Sequence, residues 1–163
     1  MSFYVIIRGP LGCGKTTVSK ILCRVLNAEY VSFDNVLEDN GLDKENYAFT
    51  AEDFIKANAI VLDSAQKWLN ENKIVVFDGC FYFKEQIKHL EENLSGKGYT
   101  FTLKCSLNTC IKRDSSRAKV YGEQAAKEVY LLVSKFDYGI IINTEDKTEK
   151  AAANEILSHL PER

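Results

Sequence analysis

Residues Gly9-Pro10-Leu11-Gly12-Cys13-Gly14-Lys15-Thr16 satisfy the pattern G-x-x-x-x-G-K-[ST]. They stand between an apolar, β-branched run, Phe3–Ile7, and a helical pattern from about Lys15 to Leu26. The motif works only where a buried strand hands the chain to a helix, so it constrains the fold more than any other segment. Glycines let successive backbone N–H groups converge on phosphate oxygens, and the helix N-terminus adds a favourable dipole. Lys15 supplies a mobile positive charge for the β- and γ-phosphates, and the Thr16 hydroxyl is placed for Mg²⁺. The expected nucleotide-binding residues are therefore Gly9, Leu11, Gly12, Cys13, Gly14, Lys15, Thr16 and Thr17. Cys13 reads as a tolerated small residue, with redox sensitivity as the alternative.

The rest of the chain alternates between strand-like and helix-like segments. Glu29–Phe33, Lys73–Phe77, Tyr99–Cys105 and Tyr138–Ile142 read as further strands. Thr50-Ala51-Glu52-Asp53 is a capping signal ahead of apolar residues at helical spacing, Phe54, Ala57, Val61, Ala65, Trp68 and Leu69. A helix near Phe83–Leu94 is expected to stop at Gly96 and Gly98. Further helices are expected from Asn108, from Gly122 to Phe136, and at the end of the chain. Five strands alternating with helices predict an α/β fold with a doubly wound parallel sheet. With 163 residues and no linker or repeat, one domain spanning 1–163 is expected.

The net charge of −2 gives no general attraction for polyanions. No apolar run approaches the roughly eighteen residues of a membrane span, and the first residues are too short for a secretory segment. A cytoplasmic chain with no membrane partner is expected. Five cysteines without a C-x-x-C pair fit buried thiols in a reducing compartment better than disulfides or a zinc site.

Phosphate loops serve switches, motors and kinases, so other residues must discriminate. The D-x-x-G and N-K-x-D patterns of GTPases are missing at Asp78-Gly79-Cys80-Phe81 and Asn143-Thr144-Glu145-Asp146. Three more segments carry information: Val31-Ser32-Phe33-Asp34, Val75-Val76-Phe77-Asp78-Gly79, and Cys110-Ile111-Lys112-Arg113-Asp114-Ser115-Ser116-Arg117. Taken in order with the loop, they resemble the small phosphate-loop kinases over nearly the whole chain. That group includes adenylate, shikimate, gluconate and adenylylsulfate kinases, chloramphenicol phosphotransferase and polynucleotide 5′-hydroxyl kinases.

The resemblance implies a P-loop NTPase fold, a five-stranded parallel sheet flanked by helices with a short lid at about 114–124. It also implies ATP and Mg²⁺, and catalytic roles for Lys15, Asp34 and Arg117. Asp34 at a strand end would receive the proton of an acceptor hydroxyl, its alternative being a helix cap. Asp78 would join Thr16 in ordering Mg²⁺, its alternative being a turn former. Arg113 and Arg117, four apart on one helix face, would lie against the adenine and the transferring phosphate.

The acceptor-binding segment is expected at about 34–72, and no arginine occurs between Asn27 and Cys80. Clamping a phosphorylated acceptor favours arginine, so adenylate-type activity is disfavoured. Residues 29–53 hold eight acids against Lys44 alone, which suggests a small, non-phosphorylated acceptor, neutral or cationic, that offers a hydroxyl. Phe33, Phe81, Tyr82 and Phe83 either stack a ring of that acceptor or belong to the core. A polynucleotide 5′-hydroxyl is the rival acceptor, disfavoured by charge because a single-strand groove should be basic. A nucleotide-dependent regulatory NTPase is the other alternative. A monomer or homodimer is expected.

Overall fold

β1 (Phe3–Arg8) is buried along its whole length because helices cover both faces of the sheet it centres. The computed structural model describes residues 1–45 and 48–162. Phe3, Val5 and Ile7 point into one core with Val18 and Leu22 of α1 (Lys15–Leu26), whereas Tyr4 and Ile6 point into a second core on the opposite face. Alternation at period two thus becomes a continuous apolar run, as a strand between two layers requires.

The remaining strands, β2 (Glu29–Ser32), β3 (Val75–Asp78), β4 (Lys97–Lys104) and β5 (Ile140–Asn143), give the order β2-β3-β1-β4-β5. Every pairing is parallel. The first core lies beneath α1 and α7 (Glu149–Ser158). The second is built by α2 (Phe33–Asp39), α3 (Ala51–Asn70) and α4 (Lys84–Asn93). α1 leaves β1 over one face and α4 leaves the neighbouring β3 over the other. A crevice therefore opens at the carboxyl ends of these two strands, where α/β sheets bind ligands.

The five-stranded parallel sheet agrees with the sequence reading, and four details differ. Phe33 does not end β2 but opens α2, because Ser32 caps that helix through Asn35 N–H at 3.4 Å. β4 begins at Lys97, two residues earlier than expected. Gly98 lies inside it because a Cβ there would sit 2.6 Å from the Tyr4 ring. β5 starts at Ile140, since Tyr138 is held through its carbonyl by Thr102 Oγ1 at 2.7 Å and Gly139 packs against the Thr100 main chain. α5 (Leu107–Ser115) ends before Arg117, so Arg113 and Arg117 do not share one helix. α6 (Glu123–Val133) follows.

One buried charge ties these layers together. The Arg8 side chain is fully enclosed, and Nη1 donates to Thr102 Oγ1 at 3.2 Å and to Phe136 O at 3.0 Å. Nη2 donates to Phe81 O at 3.3 Å and to Val133 O at 2.9 Å. The guanidinium also lies 4.2 Å over the Phe136 ring. Burial pulls its pKa down to about 10, opposed by Asp137, so it keeps its charge at neutral pH. Arg8→Ala strands several buried carbonyls at once, and urea unfolding is expected to register a loss of about 3 kcal/mol or more.

Candidate active site

The phosphate loop joins β1 to α1 with Gly12 and Gly14 at positive φ, 78° and 94°. At Gly12 a side chain is excluded twice over, since a Cβ would also sit 2.2 Å from Cys110 O of α5. Lys15 is buried, and its Nζ donates to Pro10 O at 2.9 Å, folded back over its own loop. Burial opposes the ammonium charge, but Cys80, Cys13, Asp78 and Asp34 surround it and the net effect raises its pKa. Neither thiol is ionised near neutral pH, because burial pushes the Cys13 thiol up to about 11 and raises Cys80 as well.

Leu11, Gly12, Gly14, Lys15, Thr16 and Thr17 wall a small cleft of about 120 Å³ together with Asp34, Arg113, Arg117 and Glu149. The structure thus brings together most of the residues expected from the sequence. Gly9 and Cys13 stand outside this wall. The Cys13 side chain turns into the core, and a Cβ at Gly9 would meet its sulfur at 2.6 Å.

Asp34 sits in the first turn of α2, and Ser32 is the cap, which removes the capping alternative for Asp34. Its pKa is raised, first by desolvation and then by Asp78, while Lys15 and Arg117 pull the other way. Solvent reaches its outer side while protein crowds the inner one, as at a cleft mouth. Asp78 is buried behind the wall at the end of β3, with Oδ2 accepting from Tyr30 Oη at 2.6 Å. Desolvation and that carboxylate together raise the Tyr30 pKa.

Arg113 is anchored to the β5–α7 connection. Its Nη2 donates to Thr144 O at 2.7 Å and its Nη1 to Thr144 Oγ1 at 3.3 Å. Thr144 Oγ1 in turn reaches Cys13 O at 3.3 Å, so the arginine, this connection and the phosphate loop form one network. Arg117 is more exposed, 3.8 Å from Asp114 Oδ1 and 5.4 Å from the Tyr121 ring.

The sequence reading missed four contributors. Arg8 holds the loop after β3, where Phe81 adopts φ 49°, a strained value for a bulky residue. Buried Asp114 accepts from Tyr121 N–H and Gly122 N–H at 3.2 and 2.9 Å, closing residues 115–122 into a loop. Glu149 borders Gly14 from the far end of the chain. Cys105 and Cys110 approach to 3.1 Å, closer than the picture of incidental thiols implied. No local pattern marks Arg8, Asp114 or Glu149, because their partners are distant in sequence or lie in an ordinary turn, and the cysteine pair bridges the end of β4 and α5 without a C-x-x-C spacing.

A second hollow, of about 110 Å³, adjoins the cleft and shares Leu11 and Asp34 with it. Phe33, Phe81 and Tyr82 line it, while Phe83 packs against the core beside Phe54. Phe33 and Phe81 are members of the buried core, which is the second of the two roles weighed for these aromatics. Residues 46 and 47 of the expected acceptor segment lie outside the described residues.

The open glycine backbone, the charged Lys15 and the two arginines suit a polyphosphate at this helix start. Among the described residues no three His, Cys, Asp or Glu side chains converge as a metal cage. Mg²⁺ fits such a site because it keeps water and phosphate oxygens as ligands and needs only one or two protein groups. Nor, among the described residues, is any helix long and apolar enough to cross a membrane.

A family profile described as an AAA domain matches residues 5–130. Shikimate kinase of Vibrio parahaemolyticus serotype O3:K6 is 28% identical over 173 residues, covering 98% of this chain and 96% of its own. Among solved structures, a sugar kinase from Janibacter sp. HTCC2649 superposes with a TM-score of 0.80 at 14% identity, covering 97% of this chain and 94% of that one. A gluconokinase from Sinorhizobium meliloti 1021 gives a TM-score of 0.71 at 14% identity, covering 95% and 89%. The structural likenesses show a common fold.

The contact between Gly12 and Cys110 makes a direct demand on the loop. A Gly12→Ala variant must displace α5 or the loop itself. Equilibrium binding of a fluorescent nucleotide is expected to weaken by about tenfold or more, while the far-UV circular dichroism stays unchanged.

Proposed function

The chain belongs to the AAA domain family, and from that membership we propose that it is an ATP-dependent kinase that transfers the γ-phosphate to a hydroxyl of a small, non-phosphorylated molecule. The observation that carries this reading is the junction of two hollows at Asp34, one walled by the phosphate loop and the other by aromatic side chains. A binding module or regulatory NTPase has no need of a carboxylate between its nucleotide and a second chamber. The relatives named shikimate kinase and gluconokinase support a small hydroxyl compound as acceptor. The acidic surroundings of that chamber disfavour a polynucleotide.

In this reading Lys15 leaves Pro10 O for the phosphates, exchanging a neutral acceptor for a charged one. Backbone N–H groups of the loop and the N-terminus of α1 hold the polyphosphate. Mg²⁺, held on the protein side by Thr16 and through Asp78, would neutralise charge on the phosphate oxygens. Arg117 stabilises charge on the group in transfer, and Arg113 steadies the nucleotide against the β5–α7 connection. Asp34 accepts the proton of the attacking hydroxyl, a role its raised pKa suits. Residues 114–124, closed at their base by Asp114, act as the lid. Positioning and electrostatics thus supply the catalysis.

Coupled-assay measurement of ADP release tests the scheme. Lys15→Ala is expected to lower acceptor-stimulated turnover by about a hundredfold or more with the unfolding midpoint unchanged. A base must be deprotonated to act, so turnover is expected to fall as pH drops through the Asp34 pKa. Since that pKa is raised, the acid limb should lie above the ordinary carboxylate range and disappear in Asp34→Asn.

A further inference from the structure

Gln86 occupies the third position of α4, where a glutamine usually turns back to cap its own helix. Here it turns inward and is 1% exposed. The side-chain amide is oriented by a chain of constraints. Asn58 Nδ2 donates to the Gln86 main-chain carbonyl at 2.9 Å, which fixes Asn58 Oδ1 as the acceptor for Gln86 Nε2 at 3.3 Å. The Gln86 Oε1 that remains is buried and has no hydrogen-bond partner among the described residues. Leaving such an oxygen dry is costly, and such groups in native proteins call for an explanation.

Gln86 lines the aromatic chamber beside Asp34. Phe49 and Tyr82, both only partly buried, stack there at 6.2 Å with 21° between their planes, and Phe54 meets Tyr82 edge-on at 5.5 Å. Among the described residues, the ionisable groups on the chamber wall are three carboxylates, Asp34, Glu38 and Asp43, together with Lys119, Tyr82, Tyr121 and the thiol of Cys80. The carboxylates outnumber the cation, and Lys119 lies over the Tyr121 ring at 5.2 Å. Flat apolar walls, an unpaired carbonyl and a net negative rim select against carboxylate and phosphate acceptors.

We propose that Gln86 reads the acceptor, its Oε1 taking a hydrogen bond from an N–H or O–H of a neutral or cationic compound whose flat face rests on Phe49 and Tyr82. This rests on the kinase reading and goes beyond it by naming the recognising atom and the acceptor's chemistry. The phosphorylated hydroxyl points to Asp34, and a second donor on the same molecule occupies the amide. Compounds that carry a carboxylate, as shikimate does, are poor ligands of this chamber.

The test combines binding with turnover on the full chain. Melting-temperature shifts in Mg²⁺ and a non-hydrolysable ATP analogue are measured for three pools, in parallel with ADP release from Mg-ATP. The neutral pool contains nucleosides and inositols, the cationic pool aminocyclitols and amino alcohols, and the anionic pool shikimate and gluconate. The neutral or cationic pool is expected to stabilise the protein and to stimulate ADP release. Gln86→Met, which keeps the length of the side chain and removes the amide, should then raise the acceptor KM about tenfold with the ATP KM unchanged.

Best binding by the anionic pool, or a Gln86→Met variant that folds and keeps its acceptor KM, overturns the inference and leaves the kinase standing. Binding by the donor-rich pools without turnover overturns the kinase and leaves the chamber's chemistry standing. No shift from any pool overturns the inference. The pool preference of the unaltered chain decides the acceptor class even where Gln86→Met does not fold.

Discussion

The buried guanidinium of Arg8 is the interaction that joins the central strand to the segments flanking the cleft. It closes β1 immediately before the phosphate loop and holds the end of α6, the connection after it, the loop after β3 and a β4 hydroxyl. A charge without water around it must find oxygen atoms at hydrogen-bond distance, and these come mainly from main-chain carbonyls. Such acceptors cannot swing away as side chains can. The strained backbone at Phe81 persists because its carbonyl is one of them, and Phe81 forms part of the chamber wall. Stability and site geometry thus depend on one interaction, placed where the sheet leaves its central strand.

Around that anchor the cleft divides into two chemically distinct halves. On the nucleotide side, backbone N–H groups, Lys15 and two arginines offer positive potential. On the other side, aromatic faces and carboxylates offer the opposite sign. Asp34 lies on the boundary, where desolvation raises its pKa while Lys15 and Arg117 oppose the rise. For the proton-accepting role proposed for Asp34, a raised pKa is the favourable direction, since a carboxylate held low would take no proton. Lys15 rests on Pro10 O, a neutral oxygen that phosphate oxygens can replace without stranding an ion pair, while Arg113 stays anchored to Thr144.

Much of this was legible in the sequence, for identifiable reasons. The spacing Gly9–Thr16 encodes a backbone shape that follows from local φ values, so loop, strand and helix are all predicted from adjacent residues. The helix of Ala51–Asn70 announces itself through Thr50 and Asp53, whose reciprocal cap forms as the capping signal requires. α2 is legible only as the helix that Asp34 would cap, because it is short and its actual cap, Ser32, is also the last residue of β2. Spacing alone places Arg117 on the helix of Arg113, yet α5 stops at Ser115, where Asp114 turns to the backbone of Tyr121 and Gly122.

By itself, then, the sequence determined the parallel α/β architecture, the phosphate loop and the candidates Lys15, Thr16, Asp34, Asp78, Arg113 and Arg117. Those are written in short-range patterns, in hydrophobic period and in glycine spacing. Only the tertiary structure decided which of them share a cleft, that Asp78 stands behind its wall, and that Arg8, Asp114 and Glu149 belong to the same construction. It alone left the Gln86 side-chain oxygen without a hydrogen-bond partner among the described residues, beside an aromatic wall. The reason is physical: burial, desolvation and hydrogen-bond satisfaction are properties of groups brought together from opposite ends of the chain, and no local pattern specifies them.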